Sequence, residues 1–177
     1  LMKAEADRAL AEPNGVGLSI AVGFGDRLVY ADGFGIAEQE HGVPAGPDTM
    51  FRIGSVTKQF TAALMMRRVE QDRIGLDDPI GPLLPELDLQ GHTVTVRQLL
   101  NHTSGIKSYT DLGEPWMRIV SLELSHEELL ELFEGEPFDF APGEGWRYNN
   151  SGYYLLGMLL ERLERPGEKV RARDRYG

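Results

Sequence analysis

The chain has 177 residues, 41% hydrophobic and 26% charged, with 18 Lys and Arg against 28 Asp and Glu, for a formal net charge of −10. That length and composition suit a globular protein with one well-buried core, in one or two lobes. The acidic balance argues against nucleic acid or an anionic membrane as a partner, since both need a basic face. The absence of cysteine excludes disulfides, thiolate catalysis and cysteine-held metals.

Residues 2–12 carry a charged helical pattern that Pro13 and Gly15 stop. The next stretch, "GVGLSIAVGFGDRLVYADGFGIA", has two runs rich in Val, Ile, Leu and Tyr around Gly25-Asp26, which predicts a β-hairpin. Its glycines do not complete a G-x-G-x-x-G spacing and no helix follows Gly25, so a nucleotide loop is not indicated. From Ser55 the period becomes helical: Val56, Phe60, Ala63 and Leu64 share one face, and Ala62, Met65 and Val69 another. A helix apolar on most sides is expected in the middle of a domain. The Pro-rich "LDDPIGPLLPEL" reads as loop. A short helix capped by Thr95 is predicted over 95–102 and halted by Gly105, and another over 125–133 begins with the capping box Ser125 and Glu128. "NNSGYYLLGMLLERL" is an apolar helix starting at Asn150 or Ser151, and 166–177 reads as a polar, poorly ordered tail. No apolar run reaches the roughly 18 residues of a membrane span. The opening "LMKAEADRAL" has no apolar signal core, which leaves localisation open.

The junction "FRIGSVTKQF" sets a serine and a lysine three residues apart at the start of that helix. Residues i and i+3 lie about 5–6 Å apart between Cβ atoms, so the Lys58 amine reaches the Ser55 hydroxyl. A neutral lysine can take the serine proton and leave an oxygen nucleophile for acyl transfer, and burial favours the neutral form. Backbone N–H groups at a helix start also suit a developing oxyanion. Yet serine is a favoured N-cap and lysine is common one turn later. The same spacing recurs as "SGIK", residues 104–107, where Ser104 opens no apolar helix. Spacing alone leaves both readings of Ser55 open. Downstream, "WRYNNSGYYLLG" places Tyr148 and Asn150 before an apolar helix. A phenol beside a cation can serve as acid or base, and an amide can bond both a lysine amine and a substrate amide, but a capping Asn and a packed Tyr explain the same residues.

In this order "SVTK", "LLNHTSG" and "YNN" resemble the serine β-lactamase and penicillin-binding protein superfamily, in its class C β-lactamase, D-aminopeptidase, D,D-carboxypeptidase and esterase branch. The likeness covers about 15–163. It implies an α+β, β-lactamase/transpeptidase-like fold: an N-terminal helix and hairpin plus a mostly helical lobe, with the C-terminal sheet strands missing. Residues 1–165 would be a partial domain of this kind. The resemblance makes Ser55 the acylated nucleophile, Lys58 its proton acceptor, Tyr148 the general acid/base, and Asn150 the residue that orients substrate and lysine. Asn149, commonly Ser or Ala in the family, stands at a position expected to be permissive. "NHTSG" would be structural, beside the site, so a Ser104–His102–Asp111 triad is not expected. No metal or cofactor is implied.

Two expectations follow from what the resemblance does not find. The family's third motif, Lys-Thr-Gly or His-x-Gly on a later strand, has no counterpart after Gly152, and the polar tail departs from the family's continuation, as truncation or a changed reading frame would produce. Loss of that strand removes an oxyanion donor and leaves a sheet edge free to pair with another copy. The function expected is hydrolysis of a β-lactam, D-amino peptide or short ester through an acyl-enzyme on Ser55. The alternative is a catalytically impaired penicillin-binding or partner-dependent module. Trp116 and Trp146 are candidates to line a substrate pocket or simply to pack. The family's habits favour a periplasmic or extracellular setting.

Overall fold

The alternation on either side of Gly25-Asp26 gives the expected hairpin. β1 (Gly17–Phe24) and β2 (Arg27–Glu38) pair antiparallel from Gly17–Gly35 to Phe24–Arg27, with an irregularity at Val22/Gly23. A two-residue strand, β3 (Val43–Pro44), joins the far side of β2, giving the order β1-β2-β3. Among the described residues the outer edge of β1 has no strand partner. Helix α1 (Met2–Leu10) precedes the sheet and ends two residues before the predicted boundary. These coordinates are a computed structural model describing residues 1–164; the polar tail predicted over 166–177 lies outside them. The chain divides into two compact units, Leu1–Ile53 and Gly54–Gly177.

The second unit is built on α6 (Asn150–Glu164), whose Leu155, Leu156, Leu159 and Leu163 are buried. Fully burying a leucine contributes about 1.5–3 kcal/mol, so this helix is the main apolar anchor of the unit. Around it stand α2 (Thr57–Glu70), α3 (Val96–Leu100), α4 (Glu114–Ile119) and α5 (His126–Glu131). Met65 of α2, Val96 and Leu99 of α3, and Leu130 of α5 belong to the same core. The two predicted capping boxes form. Thr95 accepts from the Gln98 amide while Gln98 reaches back to Thr95, and Ser125 and Glu128 do the same.

The Pro-rich connector between α2 and α3 has no helix or strand of its own beyond the Pro79–Thr95 bridge. Reading it as loop holds for its backbone. Its side chains, however, are core: Ile80, Leu84 and Val94 are fully buried, and Leu83 and Leu87 nearly so. Internal bonds replace a regular ladder, among them Ile80 N–H to Val94 at 2.9 Å and Leu84 N–H to Ile80 at 2.9 Å.

The expectation that α2 is buried on most sides is overturned. Met65 is buried, whereas Val56, Phe60 and Leu64 are 54%, 57% and 49% exposed. Periodicity reports which faces are apolar, not whether an element covers them. No described helix is long and apolar enough to cross a membrane.

Candidate active site

Ser55 lies in a 3-10 turn, Gly54–Val56, that leads into α2. Gly54 has φ +52, a left-handed conformation that L side chains adopt only at some strain, and this bend sets Ser55 ahead of the helix proper. Ser55 is therefore not the N-cap: Val56 holds that place, and no side chain caps the helix. The Ser55 hydroxyl instead accepts a hydrogen bond from the Tyr148 phenol at 2.6 Å, with Lys58 Nζ at 3.4 Å.

Lys58 reaches further, to the Asn150 side-chain oxygen at 2.5 Å. Its ammonium lies 4.7 Å from the centroid of the Tyr148 ring and 5.4 Å from that of Tyr153. Among the described residues it is surrounded by a hydroxyl, an amide oxygen and two aromatic faces rather than by carboxylates. Burial alone would push the Tyr148 phenol up, but the neighbouring Lys58 and the hydrogen bond with Ser55 outweigh it and hold the phenol below its ordinary range. All four residues singled out from sequence, Ser55, Lys58, Tyr148 and Asn150, thus meet, although Ser55 and Tyr148 are 93 positions apart.

The start of α6 is held by the loop over 102–110. The Asn150 amide donates to Ser108 Oγ at 3.1 Å, and its side-chain Nδ2 donates to Thr110 Oγ1 at 2.9 Å, which turns Oδ1 toward Lys58. Ser151 Oγ donates to the Lys107 carbonyl at 2.8 Å and accepts from the Tyr109 amide at 2.9 Å. At Gly105 (φ +74) the Phe140 carbonyl comes so close that an added Cβ would lie 1.9 Å from its oxygen, so only glycine fits. These partners were not apparent from sequence, because Ser108 and Thr110 carry no motif and act through a loop about 40 residues away.

Asn149 corrects the expectation of a permissive position. Its side chain is 3% exposed, accepts from the Gly152 amide at 2.6 Å as the cap of α6, and donates to the Ile106 carbonyl. The available signal was an Asn directly ahead of an apolar helix.

The competing constellations separate as expected. Ser104 is buried and its hydroxyl accepts from the Ile106 amide, while Asp111 pairs with Arg147 at 3.0 Å, so no triad forms around His102. In "SGIK", Lys107 pairs with Asp139 at 2.9 Å instead of with Ser104. Trp116 packs against Tyr109 with ring centroids 5.0 Å apart, whereas Trp146 is 67% exposed beside His102. In the first unit, Glu38, Glu40 and His41 bring their donor atoms within 4.8 Å of one another on the surface. Glu38 there accepts from His41 Nδ1 at 2.8 Å and from two backbone amides, which is the pattern of a closed turn.

The family model described as Beta-lactamase matches residues 4–172. Esterase EstB of Burkholderia gladioli is 33% identical over 169 residues, covering 88% of this chain and 43% of that protein. The structure of the octameric penicillin-binding protein homologue from Pyrococcus abyssi superposes with a TM-score of 0.78 at 34% identity, covering 92% of this chain and 38% of that one. A D-stereospecific amidohydrolase from Streptomyces sp. gives a TM-score of 0.73 at 32% identity, covering 96% and 51% respectively. The chain spans about half or less of the length of each relative.

Proposed function

The chain belongs to the Beta-lactamase family of serine hydrolases, and we propose on that premise that it acylates Ser55 with an amide or ester carbonyl. The observation that carries the reading is the convergence of the Tyr148 phenol and the Lys58 amine on one solvent-open serine oxygen. Ser55 Oγ bonds to the carbonyl carbon and the carbonyl π pair moves to its oxygen, while the serine proton passes to the Lys58–Tyr148 pair in the form that holds one proton fewer than ammonium plus phenol; the tyrosine oxygen is the nearer acceptor. The tetrahedral intermediate then collapses, its C–N or C–O bond breaks, and Tyr148 gives a proton to the departing atom. Water attacks the acyl ester by the same transfers in reverse, restoring Ser55 and releasing a carboxylic acid. Asn150 holds Lys58 in register through its side-chain oxygen, and its Nδ2 has one hydrogen beyond the Thr110 bond to offer substrate.

The relatives' names supply the substrate range: penicillin, ester and D-stereospecific amide all present a carbonyl to such a serine. Intact-mass analysis after exposure to a penicillin or p-nitrophenyl acetate, paired with product release, tests the reading. An adduct on Ser55 that Ser55→Ala abolishes is expected. A Ser55→Ala variant that still labels or hydrolyses overturns it. A lasting adduct without product overturns the hydrolytic half and leaves a penicillin-binding module.

The edge of β1, without a strand partner among the described residues, further supports self-association by strand pairing, with the octameric relative as a precedent in its own case. A monomeric mass by light scattering at micromolar concentration would count against it.

A further inference from the structure

His102 has φ +64, left-handed backbone that for a residue other than glycine persists only where the surroundings impose it. Those surroundings are the segment that carries Tyr148. The His102 carbonyl accepts from the Arg147 amide at 3.0 Å, and its Nδ1 accepts from the Asn149 amide at 3.1 Å. One residue thus pins the backbone on both sides of Tyr148. Its ring lies 4.8 Å from the Tyr148 ring and 5.1 Å from that of Tyr153, with Trp146 edge-on at 6.0 Å.

Resting on the acyl-enzyme reading above, we propose that His102 is a positioning residue: as a neutral imidazole accepting at Nδ1, it fixes the Tyr148 phenol on Ser55, and its protonation releases that hold. An imidazolium carries hydrogen on both nitrogens, so Nδ1–H would face the Asn149 N–H, donor against donor. The titratable groups around the ring are Lys58 from α2, Tyr148 from the segment before α6, and Tyr153 from α6. Burial, and then the Lys58 charge, hold the imidazole below its ordinary range. The neutral form is therefore present through neutral pH, and the loss comes only as pH falls through the lowered value.

Two substitutions separate acceptor from ring. His102→Asn keeps an oxygen at the Nδ1 position, tolerates left-handed backbone and does not titrate. His102→Phe keeps a ring and loses the acceptor. Acylation of Ser55 and ester turnover, followed from about pH 4.5 to 9, are expected to stay within about 3-fold of the parent at pH 8 in His102→Asn, with the extra fall that the imidazole adds below 6.5 gone and only the phenol limb left. His102→Phe should lose about 10-fold in kcat at unchanged KM, the scale of one hydrogen bond. A His102→Phe variant as active as the parent, or a His102→Asn variant that keeps the extra fall below 6.5, overturns the proposal. Imidazole ¹⁵N spectra of the parent give a readout independent of activity: the Nε2–H tautomer with a midpoint below 6.5 is expected. An Nδ1–H tautomer, or a midpoint at or above that value, also overturns it. If the spectra are as expected but Ser55 never acylates, the acyl-enzyme reading fails, and the positioning role fails with it.

Discussion

Tyr148→Phe deletes a single oxygen, the donor of the 2.6 Å bond to Ser55, and leaves the ring against His102 at 4.8 Å. Because Tyr148 is 41% exposed, loss of that one hydrogen bond should lower folding stability by at most about 1 kcal/mol. At roughly 2–4 °C per kcal/mol for a chain of this size, the melting temperature should move by no more than about 4 °C. On the proposed mechanism, removing the acid/base from the Ser55 hydroxyl has a larger effect. Proton transfer of this kind is worth about 10²–10⁴-fold, or about 3–5 kcal/mol of barrier. The assay is the rate of Ser55 acylation by a fluorophosphonate or p-nitrophenyl ester, read by intact mass, beside a thermal melt. In the parent the rate should rise with pH as the phenol loses its proton, along a limb lying below 10.0 because Lys58 and Ser55 hold the phenol down. In Tyr148→Phe that limb should vanish. A variant that keeps the parent rate within about 3-fold, or keeps the limb, refutes the role given to Tyr148.

Three further outcomes follow from the same geometry. Gly54→Ala forces a Cβ onto left-handed backbone, at about 1–2 kcal/mol, and shifts the turn that aims Ser55; lower stability in urea and slower acylation are expected together, and no change in either would contradict the account of the turn. Lys107→Met removes the 2.9 Å partner of Asp139 but leaves Arg147 on it at 3.2 Å, so it should destabilise by about 0.5–1.5 kcal/mol while leaving Ser55 acylation within about 2-fold; lost acylation would mean that the second Ser-x-x-Lys spacing matters chemically. Leu156→Ala, at a fully buried position of α6, should lower unfolding free energy by about 2–5 kcal/mol in urea, and a loss below about 1 kcal/mol would contradict the core assignment.

The four candidate residues were legible because each sits where chemistry and local pattern coincide: a serine and lysine one turn apart, and a tyrosine and asparagine ahead of an apolar helix. Their meeting was not. Nothing local brings position 148 to position 55; burial of Leu155, Leu156 and Leu159 against α2 and α3 does so. The supports of the site were illegible for the same reason, since Ser108, Thr110 and His102 act through bonds to residues about 40 positions away. Asn149 had a visible capping signal, but family habit pointed to indifference there. The exposed side of α2 shows the opposite error: periodicity identified the apolar faces correctly, and coverage of a face is a property of neighbours. Short elements escaped as well. β3 has two residues, one of them proline, and α4 has six with Pro115 in its first turn.

The connector between α2 and α3 inverts the usual advice on where a chain tolerates change. A stretch without helix or strand is ordinarily chosen for a tag, a protease site or an inserted domain. Here Ile80, Leu84 and Val94 are as inaccessible as any side chain of α6. A protease presented with the folded protein should pass over the stretches around Ile80, Leu84 and Val94, leaving the exposed turn over 90–93 open to it, and a peptide spliced beside those buried residues should unseat the α2–α6 packing that brings Lys58 to Asn150. For an experimenter choosing where to cut or append, the buried parts of the connector belong with the helices: their irregular backbone is part of the scaffold beneath Ser55.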